Sequence, residues 1–263
     1  MSRTGLIAGV DLGGTKVRIG VADAGSRVLR EIVLPTPRSG PARDLAAIVE
    51  AVRVVAGGRR IAALGLGVPG VCDRRRGLVV WAPNLPGWRN VPAAEILRRG
   101  LRCRVVIEND ADMAALGEVR RGAARGCRDA LVLTIGTGIG AGLIVDGGLV
   151  RGAHGVAGAA GWMRVGGRRL EDLASGPAIA RGGVARAGAA LGEAVASLVS
   201  VLNPEVVVLG GGVMDGRGGP ILRAVRRAVR GQAQPVAARR VRIVASGLRN
   251  RAGMLGAIRS AMR

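Results

Sequence analysis

The segment Val10-Asp11-Leu12-Gly13-Gly14-Thr15-Lys16 combines a carboxylate, two glycines, a hydroxyl and the only lysine of this strongly basic chain. Glycine has no Cβ, so the N–H groups of such a turn can approach an anion closely. Asp11 could hold a metal ion through water, and Thr15 and Lys16 could contact phosphate oxygens. These are the components of a nucleotide-phosphate site. An ordinary β-hairpin turn with a chance lysine is the alternative that this segment alone leaves open.

A second glycine-rich turn, Gly136-Thr137-Gly138-Ile139-Gly140, lies between the apolar residues 131–134 and 141–145. The first turn is likewise flanked by apolar residues 5–10 and 17–22. Both segments predict a strand, a glycine-rich hairpin turn and a second strand. The repeated design indicates an internal duplication with one hairpin opening each half.

The elements that must position these turns alternate between strand and helix, which is typical of an α/β protein. Strands are predicted at residues 61–68, 105–107 and 206–209, the last followed by Gly210-Gly211-Gly212. Helices are predicted at residues 45–55, at 110–121 after the capping pair Asn109-Asp110, and at 188–202 before Asn203-Pro204. Residues 74–90 are rich in Pro, Gly and Asn and are predicted to form a functional loop.

Composition limits the classes of protein to consider. The 263 residues are 49% apolar with a formal charge of +22, and the chain has no Phe or Tyr. Nucleic-acid binding is disfavoured despite this charge, because the arginines are dispersed and aromatic stacking residues are nearly absent. Three separated cysteines, the absence of a signal-peptide pattern and the lack of an apolar run of membrane-spanning length predict a cytoplasmic protein with reduced thiols and no membrane contact.

A longer series of motifs carries a family resemblance. It comprises Asp11-Leu-Gly-Gly-Thr-Lys16, Gly67-Val-Pro-Gly-Val-Cys-Asp73, Ala82-Pro-Asn-Leu-Pro-Gly-Trp88, Glu108-Asn-Asp-Ala-Asp112 with Ala114-Ala-Leu-Gly-Glu118, Thr134-Ile-Gly-Thr-Gly-Ile-Gly-Ala-Gly142, Gly152-Ala-His-Gly-Val-Ala-Gly158, Leu170-Glu171 and Gly210-Gly-Gly-Val213. Over nearly the whole chain, this series resembles the ROK family of bacterial sugar kinases. The resemblance implies an actin-like ATPase fold with two RNase H-like domains and an interdomain cleft, with residues 1–117 plus 246–263 in one domain and 118–245 in the other.

The resemblance also implies roles for individual residues. Phosphate binding would fall to Gly13, Gly14, Thr15, Lys16, Thr137 and Gly138, and adenosine binding to Gly210, Gly211 and Gly212. Asp11 would orient Mg²⁺ through water. Asp110 would be the catalytic base, and Asn84, Asn109, Asp110 and Glu171 would bind the sugar. The residues alone leave other readings open, because Asn109 or Asp110 could simply cap a helix, Asn84 could shape its turn, and Glu171 could be a solvated charge.

The chain departs from the family pattern around residue 160. Ala159 and Trp162 stand where the family usually has a glutamate and a histidine that contact sugar. The cysteine-containing zinc stretch is replaced by residues 163–169, so no zinc site is expected, and His154 is expected to be a loop or packing residue. Trp162 could fill the volume of the lost zinc loop or stack on an apolar face of a substrate. The segment before Asn203 is also shorter than usual.

These features predict an ATP- and Mg²⁺-dependent carbohydrate kinase that phosphorylates a hydroxyl of a hexose such as glucose, or of a related sugar or cyclitol. The expected partners are ATP, the sugar-like acceptor and a second copy of the chain in a homodimer. A non-catalytic sugar- or nucleotide-binding regulator with the same fold is the alternative.

Overall fold

The computed structural model describes residues 5–262 and has an α/β architecture. In chain order the strands are β1 (Leu6–Leu12), β2 (Lys16–Ala22), β3 (Val28–Pro35), β4 (Ile61–Val68), β5 (Val71–Asp73), β6 (Leu78–Trp81), β7 (Arg89–Val91), β8 (Arg104–Asn109), β9 (Ala130–Ile135), β10 (Ile139–Val145), β11 (Gly148–Val150), β12 (Arg164–Val165), β13 (Arg168–Arg169), β14 (Val206–Gly210) and β15 (Arg242–Ala245). The helices are α1 (Pro41–Ala56), α2 (Ala93–Leu101), α3 (Asp110–Arg121), α4 (Leu170–Ala174), α5 (Gly176–Gly182), α6 (Val184–Leu202), α7 (Gly212–Gln232), α8 (Pro235–Arg240) and α9 (Ala252–Ala261). Short 3₁₀ turns lie at Ala160–Trp162 and Arg249–Arg251.

The described residues divide into two compact units. Unit 1 contains residues 5–117 and 253–262, and unit 2 contains residues 118–252. The first division lies within α3 and the second at the start of α9. The domain boundaries expected from the family resemblance remain a prediction.

Unit 1 is built on a five-stranded sheet with the order β3-β2-β1-β4-β8. The predicted hairpin is present, because β1 and β2 pair antiparallel, with Asp11 opposite Arg18. Strands β1, β4 and β8 run parallel, so their carboxyl ends at Leu12, Val68 and Asn109 lie along one edge. The predicted loop at residues 74–90 is wrong in part, since it contains β6 and the start of β7, which form a small antiparallel sheet with the preceding β5. These short strands could not be predicted from the sequence, because Pro, Gly and Asn dominate the turns between them.

Unit 2 repeats this arrangement. Its five-stranded sheet has the order β11-β10-β9-β14-β15, with an antiparallel pair β9–β10 and parallel pairs β9–β14 and β14–β15. The common strand order agrees with the internal duplication. Both cores are mainly Leu, Ile, Val and Ala, as a chain without Phe or Tyr requires.

Helix α6 corrects one sequence expectation. Among the described residues, it is a helix long and apolar enough by length and composition to cross a membrane. Half of its most apolar window is buried inside the protein, including Leu191, Val195 and Val199 in the core of unit 2. A core helix has the same composition as a membrane span when most of its faces are covered.

Helix α9 packs on the sheet of unit 1 through backbone contacts at glycines. A Cβ on Gly65 would lie 2.1 Å from the carbonyl oxygen of Ala257, and one on Gly9 would lie 2.4 Å from that of Met254. On the helix, a Cβ at Gly256 would collide with the carbonyl oxygen of Met113. Backbone atoms cannot rotate out of the way as a flexible side chain can. The position of α9 therefore depends on the absence of side chains at these sites.

Gly65→Ala is expected to destabilise the protein by about 1–3 kcal/mol, because the new methyl group forces α9 away from β4. The measurement is urea unfolding followed by circular dichroism. Gly231→Ala in α7 is the control: nothing lies within 4 Å of a Cβ at that position, so it should stabilise slightly through helix propensity. Equal stability of the Gly65→Ala variant and the parent would contradict the proposed tight contact.

Candidate functional site

The first glycine-rich turn, residues 13–16, is held mainly by hydrogen bonds to its carbonyl groups, which leaves some of its N–H groups free to bind a ligand. Gly13 donates its N–H to the carbonyl of Lys16 at 3.0 Å, and the buried Thr36 donates its hydroxyl to the carbonyl of Gly13 at 2.7 Å and its N–H to the carbonyl of Thr15 at 3.0 Å. Within residues 5–262, the N–H groups of Gly14 and Thr15 have no hydrogen-bond acceptor. Lys16 is exposed beside them. This turn offers two backbone donors and a cation to an anion.

Asp11 is a half-buried carboxylate next to this turn. Burial and the negative charge of Asp110 raise its pKa to about 7, although the guanidinium of Arg18 acts in the opposite direction. Its side chain lies against the first turn of α9, where a Cβ at position 253 would be 2.4 Å from Oδ2 of Asp11. Glycine at position 253 therefore leaves room for this carboxylate.

Asn109 and Asp110 lie where β8 ends and α3 begins. Oδ1 of Asn109 accepts the N–H groups of Ala111 at 2.8 Å and Asp112 at 3.2 Å, while its Nδ2 donates to the carbonyl of Gly70 at 3.0 Å. Asn109 thus caps α3, which is the structural role that its sequence position had left open. The side chain of Asn109 also makes a hydrogen bond to the carboxyl group of Asp110.

Asp110 uses one carboxylate oxygen inside the protein. Its Oδ1 accepts the N–H of Ala111 at 2.9 Å. Burial is the largest effect on its pKa and raises it above the usual value, against the opposing effects of backbone hydrogen bonds and of a hydrogen bond from the side chain of Asn109. A carboxylate with an elevated pKa and a second oxygen outside this bond is suited to accept a proton.

Asn84 lies in a turn whose anchor was not identified from the sequence. The Ala82 N–H donates to the Trp88 carbonyl at 3.0 Å, and the buried indole of Trp88 donates Nε1–H to Oδ2 of Asp44 at 3.1 Å. The other carboxylate oxygen of Asp44 accepts the N–H of Ser39 at 2.9 Å. Two features of the sequence could have pointed to this anchor. Asp44 follows Gly40 by four residues at the start of α1, and Trp88 is one of only three tryptophans in the chain.

The second glycine-rich turn joins β9 to β10 in unit 2. Gly136 donates its N–H to the carbonyl of Gly138 at 2.9 Å. The N–H groups of Thr137 and Gly138 have no acceptor among the described residues. This turn therefore presents the same pair of free donors as the turn in unit 1.

Glu171 holds the second turn in place. Its Oε2 accepts the N–H of Ile139 at 2.8 Å, immediately after the turn. It lies in the first turn of α4 and is half-buried. Glu171 is therefore not the solvated charge that its sequence position had left open, while its sugar-binding role stays a prediction.

Gly210, Gly211 and Gly212 form the junction between β14 and α7. Gly211 has φ of 90°, and a Cβ there would be 2.4 Å from the carbonyl oxygen of Ile135. Glycine is required at this position by both conformation and space. Gly212 begins α7, so its N–H lies in the first turn, where helix donors lack intrahelical partners.

Residues 159–169 adopt a short 3₁₀ turn followed by the small hairpin β12–β13. Ala159 is exposed, and Trp162 is 61% exposed with its ring 5.0 Å from the guanidinium carbon of Arg169. The predicted role of Trp162 in filling vacated volume is therefore wrong. His154 is exposed in a loop. Within residues 5–262, no three or more His, Cys, Asp or Glu side chains are grouped so that they could hold a metal ion.

Each unit thus carries a glycine-rich turn with free N–H donors. Unit 1 adds Lys16 and the carboxylates of Asp11 and Asp110, and unit 2 adds the glycine junction before α7. These groups have the chemistry needed to bind phosphates and to accept a proton.

Comparison with known proteins identifies the family. The sequence profile of the ROK family matches residues 7–181 and 170–263. A glucokinase from Streptomyces coelicolor is 32% identical over an alignment of 312 residues that covers 96% of each chain. This alignment is longer than the 263 residues of the present chain, so the relative carries segments that are missing here.

Solved structures agree with this assignment. The crystal structure of a ROK family glucokinase from Streptomyces griseus in complex with glucose and AMPPNP is 30% identical, covers 98% of this chain and 99% of its own, and has a TM-score of 0.87. A ROK hexokinase from Thermus thermophilus is 35% identical, with 97% of both chains covered and a TM-score of 0.79. The predicted actin-like ATPase fold is confirmed, and the chain belongs to the ROK family.

Proposed function

We propose that this protein transfers the γ-phosphoryl group of ATP to a hydroxyl of a hexose such as glucose, with Asp110 as the catalytic base. The class of activity, an ATP-dependent carbohydrate kinase, is confirmed by the similarity to glucokinases over nearly the full length of both chains. The proposal adds the acceptor and the roles of individual residues.

The observation that carries the proposal is the state of Asp110. Its carboxylate lies at the carboxyl end of β8, at the sheet edge shared with Asp11 and the first glycine-rich turn. Its pKa is raised by burial, and one oxygen is fixed by the N–H of Ala111. A general base works best when its pKa approaches the working pH and its position is fixed.

The nucleotide is proposed to bind through backbone donors of both glycine-rich turns. Gly14 and Thr15 contribute free N–H groups in unit 1, and Thr137 and Gly138 contribute them in unit 2. Lys16 adds a positive charge, and Gly13 allows the tight turn. Gly210, Gly211 and Gly212 are proposed to border the adenosine, where a side chain at residue 211 would collide with β9.

The donor set fits a magnesium ion bound mainly by phosphates. Asp11 and Asp110 are neighbouring carboxylates. Burial and then the negative charge of Asp110 raise the pKa of Asp11, and a cation nearby would relieve the repulsion between the two groups. Mg²⁺ usually keeps several waters and is held by one or two carboxylates together with substrate phosphates. We assign Asp11 to such a contact through water. Bound Mg²⁺ would neutralise phosphate charge during transfer.

In the proposed reaction, Asp110 takes the proton of the acceptor hydroxyl. The hydroxyl oxygen forms a bond to the γ-phosphorus while the bond from that phosphorus to the β-γ bridging oxygen breaks. The products are the sugar phosphate and ADP. Because phosphoryl transfer depends mostly on positioning and charge stabilisation, the fixed turns and Lys16 supply the rest of the catalysis.

The acceptor is proposed to contact Asn84, Asn109, Asp110 and Glu171. The amide of Asn109 is fixed beside Asp110 by its cap on α3 and by its bond to Gly70. Glu171 retains the lone pairs that Ile139 does not use. The side chain of Ala159 offers no hydrogen bond where relatives are expected to have a glutamate. Losing a charged hydrogen bond costs about 1.5–3 kcal/mol, which must be recovered elsewhere if hexose affinity is normal.

Asp110→Asn is expected to lower kcat by about 10²–10⁴-fold, since the amide cannot accept the proton. Its Oδ1 can still accept the N–H of Ala111, so folding and ATP binding should be retained. The measurement is ADP release with Mg-ATP and a panel of hexoses, amino sugars and cyclitols.

Asp23→Asn, a partly exposed acid in a turn of the same unit, is the matched control and should have parental turnover. Parental turnover in the Asp110→Asn variant would overturn its role as base. If the parent protein binds ATP but turns over no acceptor, the alternative function, a non-catalytic sugar- or nucleotide-binding regulator, would be favoured instead.

Glu171→Ala is expected to raise KM for ATP about tenfold, because the Ile139 N–H loses its acceptor and the second turn loosens. Glu171→Gln preserves an oxygen for that bond and should keep KM for ATP near the parental value, while KM for the sugar rises. Steady-state kinetics with each substrate varied separately distinguishes the two effects. An unchanged KM for ATP in Glu171→Ala would show that the turn does not depend on this bond.

The homodimer, the cytoplasmic location and the lack of zinc stay predictions from the sequence. They concern the assembly and environment of the protein rather than the proposed reaction.

A further inference from the structure

Trp162 is an exposed aromatic side chain in a protein that has very few aromatic residues. The chain contains three tryptophans and no Phe or Tyr. Trp88 is buried and hydrogen-bonded to Asp44. Trp81 is 42% exposed, and Trp162 is the most exposed of the three at 61%. Its packing inside unit 2 therefore does not account for so large an apolar ring at this position.

The backbone around Trp162 is firmly held. The Trp162 N–H donates to the carbonyl of Ala159 at 3.0 Å, and the Met163 N–H donates to that of Ala160 at 3.1 Å. Gly161 lies so close to Ile139 that a Cβ would be 2.6 Å from the Ile139 carbonyl oxygen. The ring thus projects from a segment attached directly to β10.

Arg169 supports the ring from one side. Its guanidinium carbon is 5.0 Å from the ring centroid, within the range of a cation–π contact. Asp172 holds this guanidinium through two hydrogen bonds of 3.1 Å, one to Nε and one to Nη2. A ring supported in this way loses little conformational freedom when a ligand binds to its exposed part.

Trp162 is also adjacent to residues assigned above to substrate binding. A Cβ on Gly161 would be 3.2 Å from Oε2 of Glu171, and the same carboxylate oxygen accepts the N–H of Ile139 just after Thr137 and Gly138. The backbone immediately before Trp162 therefore neighbours the proposed sugar contact, and that carboxylate in turn holds the proposed phosphate turn of unit 2. Ala159, three residues before it, is exposed and has only a methyl group.

We propose that Trp162 is the stacking platform of the acceptor subsite, on which a pyranose lays its apolar C–H face. This inference rests on the proposed kinase function and names the class of acceptor. An aromatic ring provides a flat apolar surface with an electron-rich face, and a cyclic sugar has a rigid C–H face to match it. Open-chain polyols lack such a face and should be poor acceptors. Stacking would supply affinity that Ala159 cannot supply through a hydrogen bond.

Trp162→Ala is the first test. KM for glucose should rise about tenfold, with kcat and KM for ATP within about twofold of the parent. Trp162→Phe should keep most of the affinity, because an aromatic face remains. Trp162→Leu retains apolar volume without the aromatic face, so its kinetic constants should resemble those of Trp162→Ala. If Trp162→Ala folds poorly, Trp162→Leu takes its place in the test. Val201→Ala truncates another exposed apolar side chain, on α6, and should leave all constants unchanged.

The second test does not depend on turnover. Glucose added without ATP should change the tryptophan emission of the parent. The change should vanish in Trp162→Phe, which retains Trp81 and Trp88. Sorbitol, an open-chain polyol, should produce no change in either protein.

The outcomes separate this inference from the proposed function. Glucose-dependent emission from Trp162 without ADP release on any acceptor would reject the kinase and support the platform. Normal turnover with an unchanged KM for glucose in both Trp162→Ala and Trp162→Leu would overturn the platform and leave the kinase intact. A change of oligomeric state with unchanged KM would likewise overturn it, because the ring would then be a contact between copies.

Discussion

The contact between α9 and the sheet of unit 1 is the constraint on which the proposed catalytic residues depend. Gly9 and Gly65 let the backbone of the helix lie directly on β1 and β4, and Gly256 lets it approach α3. The same approach brings Gly253 against the carboxylate of Asp11. A side chain at any of these glycines would shift the helix and the acid together. Packing and the proposed chemistry in this unit are therefore fixed by one set of backbone contacts.

Charge is distributed unevenly around this framework. The chain has 40 basic and 18 acidic side chains, yet Glu108, Asp110, Asp112 and Glu118 all lie at the end of β8 or in α3. Glu118 is fully buried and accepts the N–H groups of Ala123 and Leu248. A basic protein attracts anionic nucleotides. Fixed acids also serve the structure, because Asp44 and Glu118 are held by hydrogen bonds from backbone N–H groups and stabilise the turns that donate them.

The sequence predicted the parts of the structure that depend on local pattern. Both hairpins, β4 and α3 follow from apolar runs, glycine turns and the capping pair Asn109-Asp110. The contacts that reach across the chain could not be predicted in this way. Asp44 with Trp88, Glu171 with Ile139 and Gly65 with Ala257 each join residues far apart in sequence. Trp162 shows the limit most clearly, because a sequence gives the size of a ring but not whether other atoms cover it.

The path of the chain has a consequence for synthesis. Unit 2 is one continuous segment, whereas unit 1 needs residues from both sides of it. A ribosome makes β1, β4 and their glycines first and α9 only after all of unit 2. Until then, the backbone at the glycines of β1 and β4 is not covered by a helix. Domains generally fold as units during synthesis, so the unit that begins first is completed last, and Asp11 acquires its final surroundings only when α9 arrives.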